Sequence, residues 1–530
     1  MTDDGIMMKG AAGMAATEGH PDGVVPVPGC ARGYAPGFAP LARTASRLFD
    51  WSGAQGQTMT YTATAGYIPV VDDEGNPLAS LFAVSYVAAS AAGDGIARPG
   101  VERPVTFLFN GGPGSSSVWI NTGGFGPVKA PSTAPEPIGT PPYSIADNPC
   151  TLLKYSDLVF IDAPGTGWSP LLPDVPGSRV WGIDQDADVF CRAVTAWLSQ
   201  TGRWNSPKYL FGESYATTRS VVVARMLQNR CVDVSGVVLL STLLDWMNDL
   251  PGSDAGMVAL IPSYAATARY HAARRDGADA AEASAQACDA AYLTQVEEFA
   301  IGTYAPALFA GDRLPKQKER AVAGELARIC GIDADVFVRS HLRIGMERFR
   351  TLLLGGEGKK IGRFDSRYTG DDDYVIGDAS ADPATDDAAT AGVNSAEYAG
   401  FRMAMREIGF DVPSRQYLPL NNMAVEPAWD WSHTEPAVEG RVVCANAAVD
   451  LSAAMRRNPG LKLAVLGGAF DLACPYLGAR NDIARLYLSE RLRANVSYGL
   501  YGTGHMAYAD AAALEAMDAD MCAFYTKGSF

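Results

Sequence analysis

A serine hydroxyl attacks a carbonyl only when a neighbouring base takes its proton. The sequence offers one serine in a setting built for that task. Ser214 lies in Gly212-Glu213-Ser214-Tyr215-Ala216. The apolar run Tyr209 to Phe211 reads as a strand, and Tyr215 to Arg230 reads as a helix. A serine at a sharp strand-to-helix turn has its hydroxyl exposed, and the crowded backbone wants small residues two places before and after it. Gly212 and Ala216 meet that need. The helix N-terminus behind the turn favours developing negative charge. A serine there also suits an ordinary helix cap, so Ser214 alone does not decide the chemistry. The base must come from five histidines: His20, His271, His341, His433 and His505. Only His505, in Tyr501-Gly-Thr-Gly-His-Met506, follows a strand of the regular α/β pattern. Asp471, in Gly467-Gly-Ala-Phe-Asp-Leu-Ala-Cys-Pro475, follows another and could orient the imidazole. Singly, these two read as a loop histidine and a turn aspartate. Jointly they give the chain order Ser, Asp, His with room between the last two for a helix and a strand.

The elements that must hold these groups alternate. TMTYTATAGYIPV from Thr58, the turn residues Asp72 to Pro77 and LASLFAVSYVA form an expected hairpin. Val105 to Phe109 and Leu158 to Ile161 are short apolar strands ending in Asn110-Gly-Gly-Pro-Gly114 and Asp162-Ala-Pro-Gly-Thr-Gly-Trp-Ser169. A helix over Asp184 to Gln200 precedes the serine, and Ser235 to Leu240 is a further strand. Fully apolar strands alternating with helices predict a mainly parallel α/β sheet. The rhythm breaks near Leu250, becomes helical and irregular to about Pro427, and returns with LKLAVL at Leu461 to Leu466. The expected organisation is a flexible tail over 1–50, a first half of the sheet over 51–250, a helical cap or lid of about 175 residues over 251–430 as a small domain of its own, and a second half over 431–530. The Ser, Asp, His order on such a sheet is that of the α/β-hydrolase fold.

Composition narrows the partners. The 530 residues carry a net charge of −16, which argues against nucleic acid or an anionic membrane. No apolar run is long enough to span a bilayer. The N-terminus lacks an export signal, which points to a cytoplasmic protein. Nine scattered cysteines without CxxC spacing form neither a disulfide framework nor a zinc site. Gly111-Gly-Pro-Gly114 lacks the Lys-Ser/Thr of a phosphate loop. The Gly370 to Gly392 stretch holds seven Asp but not the spacing of a calcium loop, so it reads as a solvated loop. The pattern calls for no metal or redox cofactor, and it is silent on oligomeric state.

Five motifs together resemble the serine carboxypeptidase family: Asn110 to Ser117, Asp162 to Ser169, Gly212 to Ala216, Gly468 to Pro475 and Gly502 to Met506. The longer GESYATTR is similar to the bacterial branch. The resemblance implies that Ser214 is the nucleophile, His505 the base and Asp471 its orienting acid. It further implies an oxyanion hole made by the N–H groups of Gly112 and Tyr215. A peptide's C-terminal carboxylate would be read by Asn110, the Gly111 backbone and Glu213, with Cys474 beside the acyl pocket. Glu213 could bind an anion only when protonated, so binding should favour acidic pH; equally, Glu213 could merely brace the turn, and Cys474 could be a small buried hydrophobe.

Three departures qualify the resemblance. Ser115 stands where many eukaryotic members have a disulfide cysteine. Gly124 replaces a glutamate that partners the elbow glutamate there. Asp162-Ala-Pro differs from the usual Asp-Gln-Pro. The expected substrate is a peptide. An esterase or acyltransferase using the same acyl-enzyme is the alternative, and a non-catalytic binding protein on the same fold is disfavoured because Ser214 and His505 are both retained.

Overall fold

The computed structural model describes residues 43–53, 56–89, 103–250, 252–371, 387–412, 415–436 and 439–529. Most of the expected tail and residues 372–386 of the Asp-rich stretch lie outside them. Nine strands form one sheet: β1 (Ala45–Ser52), β2 (Thr58–Val71), β3 (Pro77–Ala88), β4 (Val105–Phe109), β5 (Asp157–Ile161), β6 (Lys208–Glu213), β7 (Gly236–Leu240), β8 (Lys462–Gly468) and β9 (Val496–Tyr501). Their spatial order is β1-β2-β3-β5-β4-β6-β7-β8-β9. The first three strands run antiparallel to their neighbours, and the remaining pairs are parallel. From β2 onward this is the α/β-hydrolase sheet, with β5 and β4 exchanged in order and β1 added at the edge.

The central strands are apolar throughout because both faces of the sheet are covered. Phe107, Phe109, Leu210, Val237, Leu239 and Val465 enter one buried layer. Their neighbours Leu108, Tyr209, Phe211, Val238, Leu240 and Leu466 enter the other. The helices that matter here are α1 (Ile183–Thr201), α2 (Tyr215–Asn229), α3 (Asp254–Arg275), α4 (Lys316–Cys330), α5 (Ala388–Ile408), α6 (Ala448–Arg457), α7 (Tyr476–Ala484) and α8 (Ala511–Lys527). Helices α1, α2, α6 and α7 pack on the first face, α5 and α8 on the second.

Two expectations need correction. The tail does not reach residue 50: Ala45–Ser52 pairs along its whole length with β2. Trp51 is buried and its indole N–H donates to Asn148 O at 3.0 Å, while Phe49 stacks on Tyr61. These two and the exposed Leu48 are the strand's large apolar residues and show no clean alternation, so a composition-based reading misses it. Nor is the long connection between β7 and β8 a uniform lid, although it leaves and re-enters between two directly paired strands. Its first part, around α3 and α4, has its own core, which includes Leu472 and Leu477 from beyond β8. Its second part, α5, is built into the sheet's core: Phe401, Met405 and Phe410 pack with Phe82 and Trp168. Asp387, the last aspartate of the acidic stretch, is buried; it caps α5 and binds Arg350 at 2.7 Å.

One buried ion pair ties the helices flanking the serine to the loop after β4. Arg219 of α2 donates from Nε and Nη2 to the two carboxylate oxygens of Asp186 on α1, at 2.6 and 3.1 Å. Its Nη1 donates to Asn110 O at 2.8 Å. Both side chains are buried. Removing one partner leaves the other charge uncompensated. Asp186→Ala is therefore expected to destabilise the protein by about 3–5 kcal/mol. The double change Asp186→Leu with Arg219→Met should cost clearly less, both read from urea unfolding midpoints.

Candidate active site

The turn between β6 and α2 holds Ser214 at φ 61°, ψ −130°, a conformation that costs a non-glycine residue about 1–3 kcal/mol. Its surroundings leave it no alternative. The Ser214 N–H donates to Leu240 O on β7 at 2.9 Å, and Tyr215 starts the helix at once. A side chain at Gly212 would put its Cβ 2.0 Å from Ala216 O, and one at Gly111 would stand 2.5 Å from the Tyr215 nitrogen. Gly111 lets the loop after β4 close directly onto the turn, and Gly212 lets the first turn of α2 fold back onto the end of β6. Tyr215 is the first helical residue, so its N–H has no intrahelical acceptor.

The loop itself turns through left-handed backbone at Gly112 (φ +102°) and Gly114 (φ +104°). It is fastened from below by Asp162. One Asp162 carboxyl oxygen accepts from Ser117 N–H at 2.8 Å and from Tyr417 O–H at 3.2 Å. Burial pushes this carboxyl up to about 7. Ser115, at the eukaryotic cysteine position, instead accepts from the Trp119 indole N–H at 2.9 Å.

His505 and Asp471 meet: His505 Nδ1 and Asp471 Oδ2 are 2.8 Å apart, and both side chains are buried. The other oxygen of Asp471 accepts from the N–H groups of Ala473 and Cys474 at 2.8 and 2.9 Å, which fixes its plane. A carboxylate at Nδ1 selects the tautomer with Nε2 free for a partner. Burial pushes the imidazole down, but the Asp471 charge and hydrogen bond and the nearby Cys474 thiol hold it well above its ordinary value. Two other described histidines are committed elsewhere. His433 is buried between Asp184 and Asp450 at 2.5 and 2.8 Å, and His271 bonds Ser366 O at 2.8 Å.

The insertion supplies contacts that sequence reasoning missed. Phe364 O accepts from His505 N–H at 2.6 Å, and the Phe364 ring packs edge-on against the imidazole at 5.1 Å. Asp365 accepts from Gly504 N–H at 3.1 Å and pairs with Arg367, which also binds Thr503, Gly502 O and Asp510. Arg363 O accepts from Leu472 N–H at 3.1 Å. Residues 363–367 thus strap both the acid loop and the base loop. Nothing in their local sequence marks them, because each acts through contacts made far away in the chain.

Glu213 is buried beside the serine. Asn110 Nδ2 donates to it at 2.6 Å and Tyr508 O–H at 3.0 and 3.2 Å. Burial pushes its carboxyl up to about 7, against the His505 charge and these two donors. The amide oxygen of Asn110 is already taken by Ile120 N–H at 2.9 Å, which leaves only an amide hydrogen for a substrate. The space at Gly124 is filled by Tyr508: a Cβ there would lie 3.1 Å from its ring. At Gly123 a Cβ would lie 2.6 Å from the buried Glu397 carboxyl of α5. Burial holds Glu397 above the usual carboxylate range, Lys129 opposes that, and Glu213 adds to it. The second carboxyl near the elbow glutamate therefore comes from the insertion, not from residue 124.

Asn110, Gly111, Gly112, Glu213, Ser214, Cys474 and His505 all line one cleft of about 310 Å³. Tyr215 does not line it with its side chain, which turns inward against Trp429. Leu243, Trp246 and Trp431 form an apolar part of the wall, with the two indoles 4.6 Å apart. Among the described residues no helix is long and apolar enough to cross a membrane.

No curated protein matches the sequence. Among solved structures, the chain is similar to Kex1(delta)p, a prohormone-processing carboxypeptidase from Saccharomyces cerevisiae, at 14% identity, covering 88% of this chain and 91% of that one with a TM-score of 0.49. It is also similar to proline iminopeptidase from Mycobacterium smegmatis, at 12% identity over 88% and 98% with a TM-score of 0.36. The family model described as serine carboxypeptidase matches residues 54–231, the span that holds the loop after β4, the Asp162 motif and the serine turn. Over that span the chain is similar to the serine carboxypeptidase family.

Proposed function

We propose that this chain is a serine-type carboxypeptidase that removes C-terminal residues through an acyl-enzyme. The observation that carries the reading is the His505–Asp471 pair at 2.8 Å in the same cleft as a serine held in a strained turn. Ser214 Oγ attacks the scissile carbonyl carbon while its proton passes to His505 Nε2. The negative charge that develops on the carbonyl oxygen is held by the N–H groups of Gly112 and Tyr215, a gain usually worth on the order of 10²–10³ in turnover per donor. Asp471 stabilises the imidazolium and keeps its orientation. The tetrahedral centre collapses, the C–N bond breaks, and the imidazolium proton goes to the leaving amine. Water then attacks the ester, giving its proton to His505, and Ser214 leaves with that proton restored. Asn110, the Gly111 backbone and protonated Glu213 receive the C-terminal carboxylate, and Cys474 borders the acyl group. The indole wall favours an apolar side chain beside the scissile bond.

A fluorophosphonate should label Ser214, and Ser214→Ala should lose both labelling and peptide hydrolysis; retained hydrolysis in that variant would sink the mechanism. Asp471→Asn should lower kcat by on the order of 10⁴, measured by active-site-titrated kinetics.

The pH profile tests Glu213. A protonated carboxyl accepts the substrate anion and an ionised one repels it. With Glu213 at about 7, kcat/KM for a free-acid peptide should fall as pH rises through about 7. Glu213→Gln should flatten that limb. Tyr508→Phe removes a donor that favours the ionised form, so the fall should move to higher pH. A profile identical in all three proteins would remove Glu213 from carboxylate recognition.

A further inference from the structure

The cleft holds a cation that the reading above does not use. Arg363 lines it, as do Asn394 and Thr390 of α5. Its main chain is pinned: the N–H donates to Asp387 Oδ2 at 2.5 Å and the carbonyl accepts from Leu472 N–H at 3.1 Å. The guanidinium lies 5.5 Å from the Phe364 ring centroid. The acidic groups nearby are engaged elsewhere. Asp387 pairs with the Arg350 guanidinium at 2.7 Å. Of the two cleft carboxyls, Glu213 is bonded by Asn110 and Tyr508, and Glu426 by Asn422. Among the described residues, no carboxylate lies within ion-pair distance of Arg363. Its Nε is buried without a hydrogen-bond partner. A buried donor left unmet is rare and costly, and a guanidinium keeps its charge at any working pH.

We infer that Arg363 is a specificity-determining residue that binds a carboxylate of the substrate. This rests on the carboxypeptidase reading and deepens it. A planar fork of N–H donors matches a carboxylate better than any neutral group. Position says which end of the substrate it meets. Arg363 adjoins Phe364, whose ring rests on His505, and His505 is the group that protonates the departing amine. The cation therefore stands on the leaving-group side, where an amino acid released from a C-terminus carries its free carboxylate. An acidic side chain on that residue is the other source of the same chemistry.

The test uses the full chain as wild type, Arg363→Gln and Arg363→Lys. N-acyl dipeptides are compared as free acids against C-terminal amides, and with Glu against Gln as the last residue. Arg363→Gln should raise KM for the free acids by about tenfold or more, with a smaller change in kcat, so that the free-acid over amide preference drops by the same factor. Arg363→Lys should recover part of it. A drop confined to the Glu over Gln preference would assign the cation to an acidic side chain, still a carboxylate. If neither preference moves, the inference is wrong while the peptidase reading stands. Calorimetric binding of N-acetylphenylalanine and its amide to the wild type and to Arg363→Lys and Arg363→Gln needs no turnover. A loss of the acid's advantage over the amide by about tenfold in Arg363→Gln, partly recovered in Arg363→Lys, supports the cation; an advantage unchanged in both variants overturns it, and absent peptide turnover in the wild type would count against the peptidase reading alone.

Discussion

The site depends on a steric constraint: two backbone segments approach too closely for any side chain between them. The end of β4 and the turn after β6 touch at Gly111, where a single added carbon would overlap the Tyr215 nitrogen, and at Gly212 an added carbon would overlap the Ala216 carbonyl within the turn itself. That approach brings the serine, the first N–H of α2 and the Gly112 loop into one small volume. It also explains why the turn tolerates Ser214 at positive φ. Neighbouring strands pair on both sides, and the Arg219–Asp186 pair holds the Asn110 carbonyl from beneath. The strain is local, and the structure around it over-determines it.

The nucleophile half and the acid–base half are assembled by different means. The first is contiguous and glycine-dependent. The second joins loops after β8 and β9, and parallel pairing alone brings these two strand ends side by side. What then sets the imidazole is a set of contacts from the insertion, where Phe364 takes the His505 N–H and Asp365 takes that of Gly504. The elbow glutamate is likewise conditioned from a distance, by Tyr508 and by Glu397 of α5.

What the sequence made legible follows the same division. β4, β5, β6 and β7 announce themselves as short apolar runs because both their faces are buried, and the parallel sheet is read from them. Ser214, Asp471 and His505 could be singled out because each sits at a strand end next to glycine or a tight turn. β1 is hidden because its apolar residues do not alternate: Leu48 faces outward, and only Phe49 and Trp51 anchor it. Arg363, Phe364, Asp365 and Glu397 were hidden for another reason. They lie in the irregular stretch, and their roles come from partners such as Gly504, Leu472 and Gly123, far off in the chain. Local pattern carries no trace of such pairings. Gly124 could be noticed as a departure, but not that an aromatic ring from beyond β9 fills its place.

The strap at residues 363–367 bears on modularity. An insertion between two sheet strands is commonly a part that can be exchanged, with the machinery beneath left intact. Here the inserted stretch contributes a hydrogen-bond acceptor to the His505 amide and an aromatic plate to its ring. The insertion and the setting of the His505 imidazole are therefore inherited as one unit. Transplanting this region from a relative would replace part of the His505 imidazole's housing along with the cleft wall, and diversification of the cleft is constrained to the residues that the strap leaves alone.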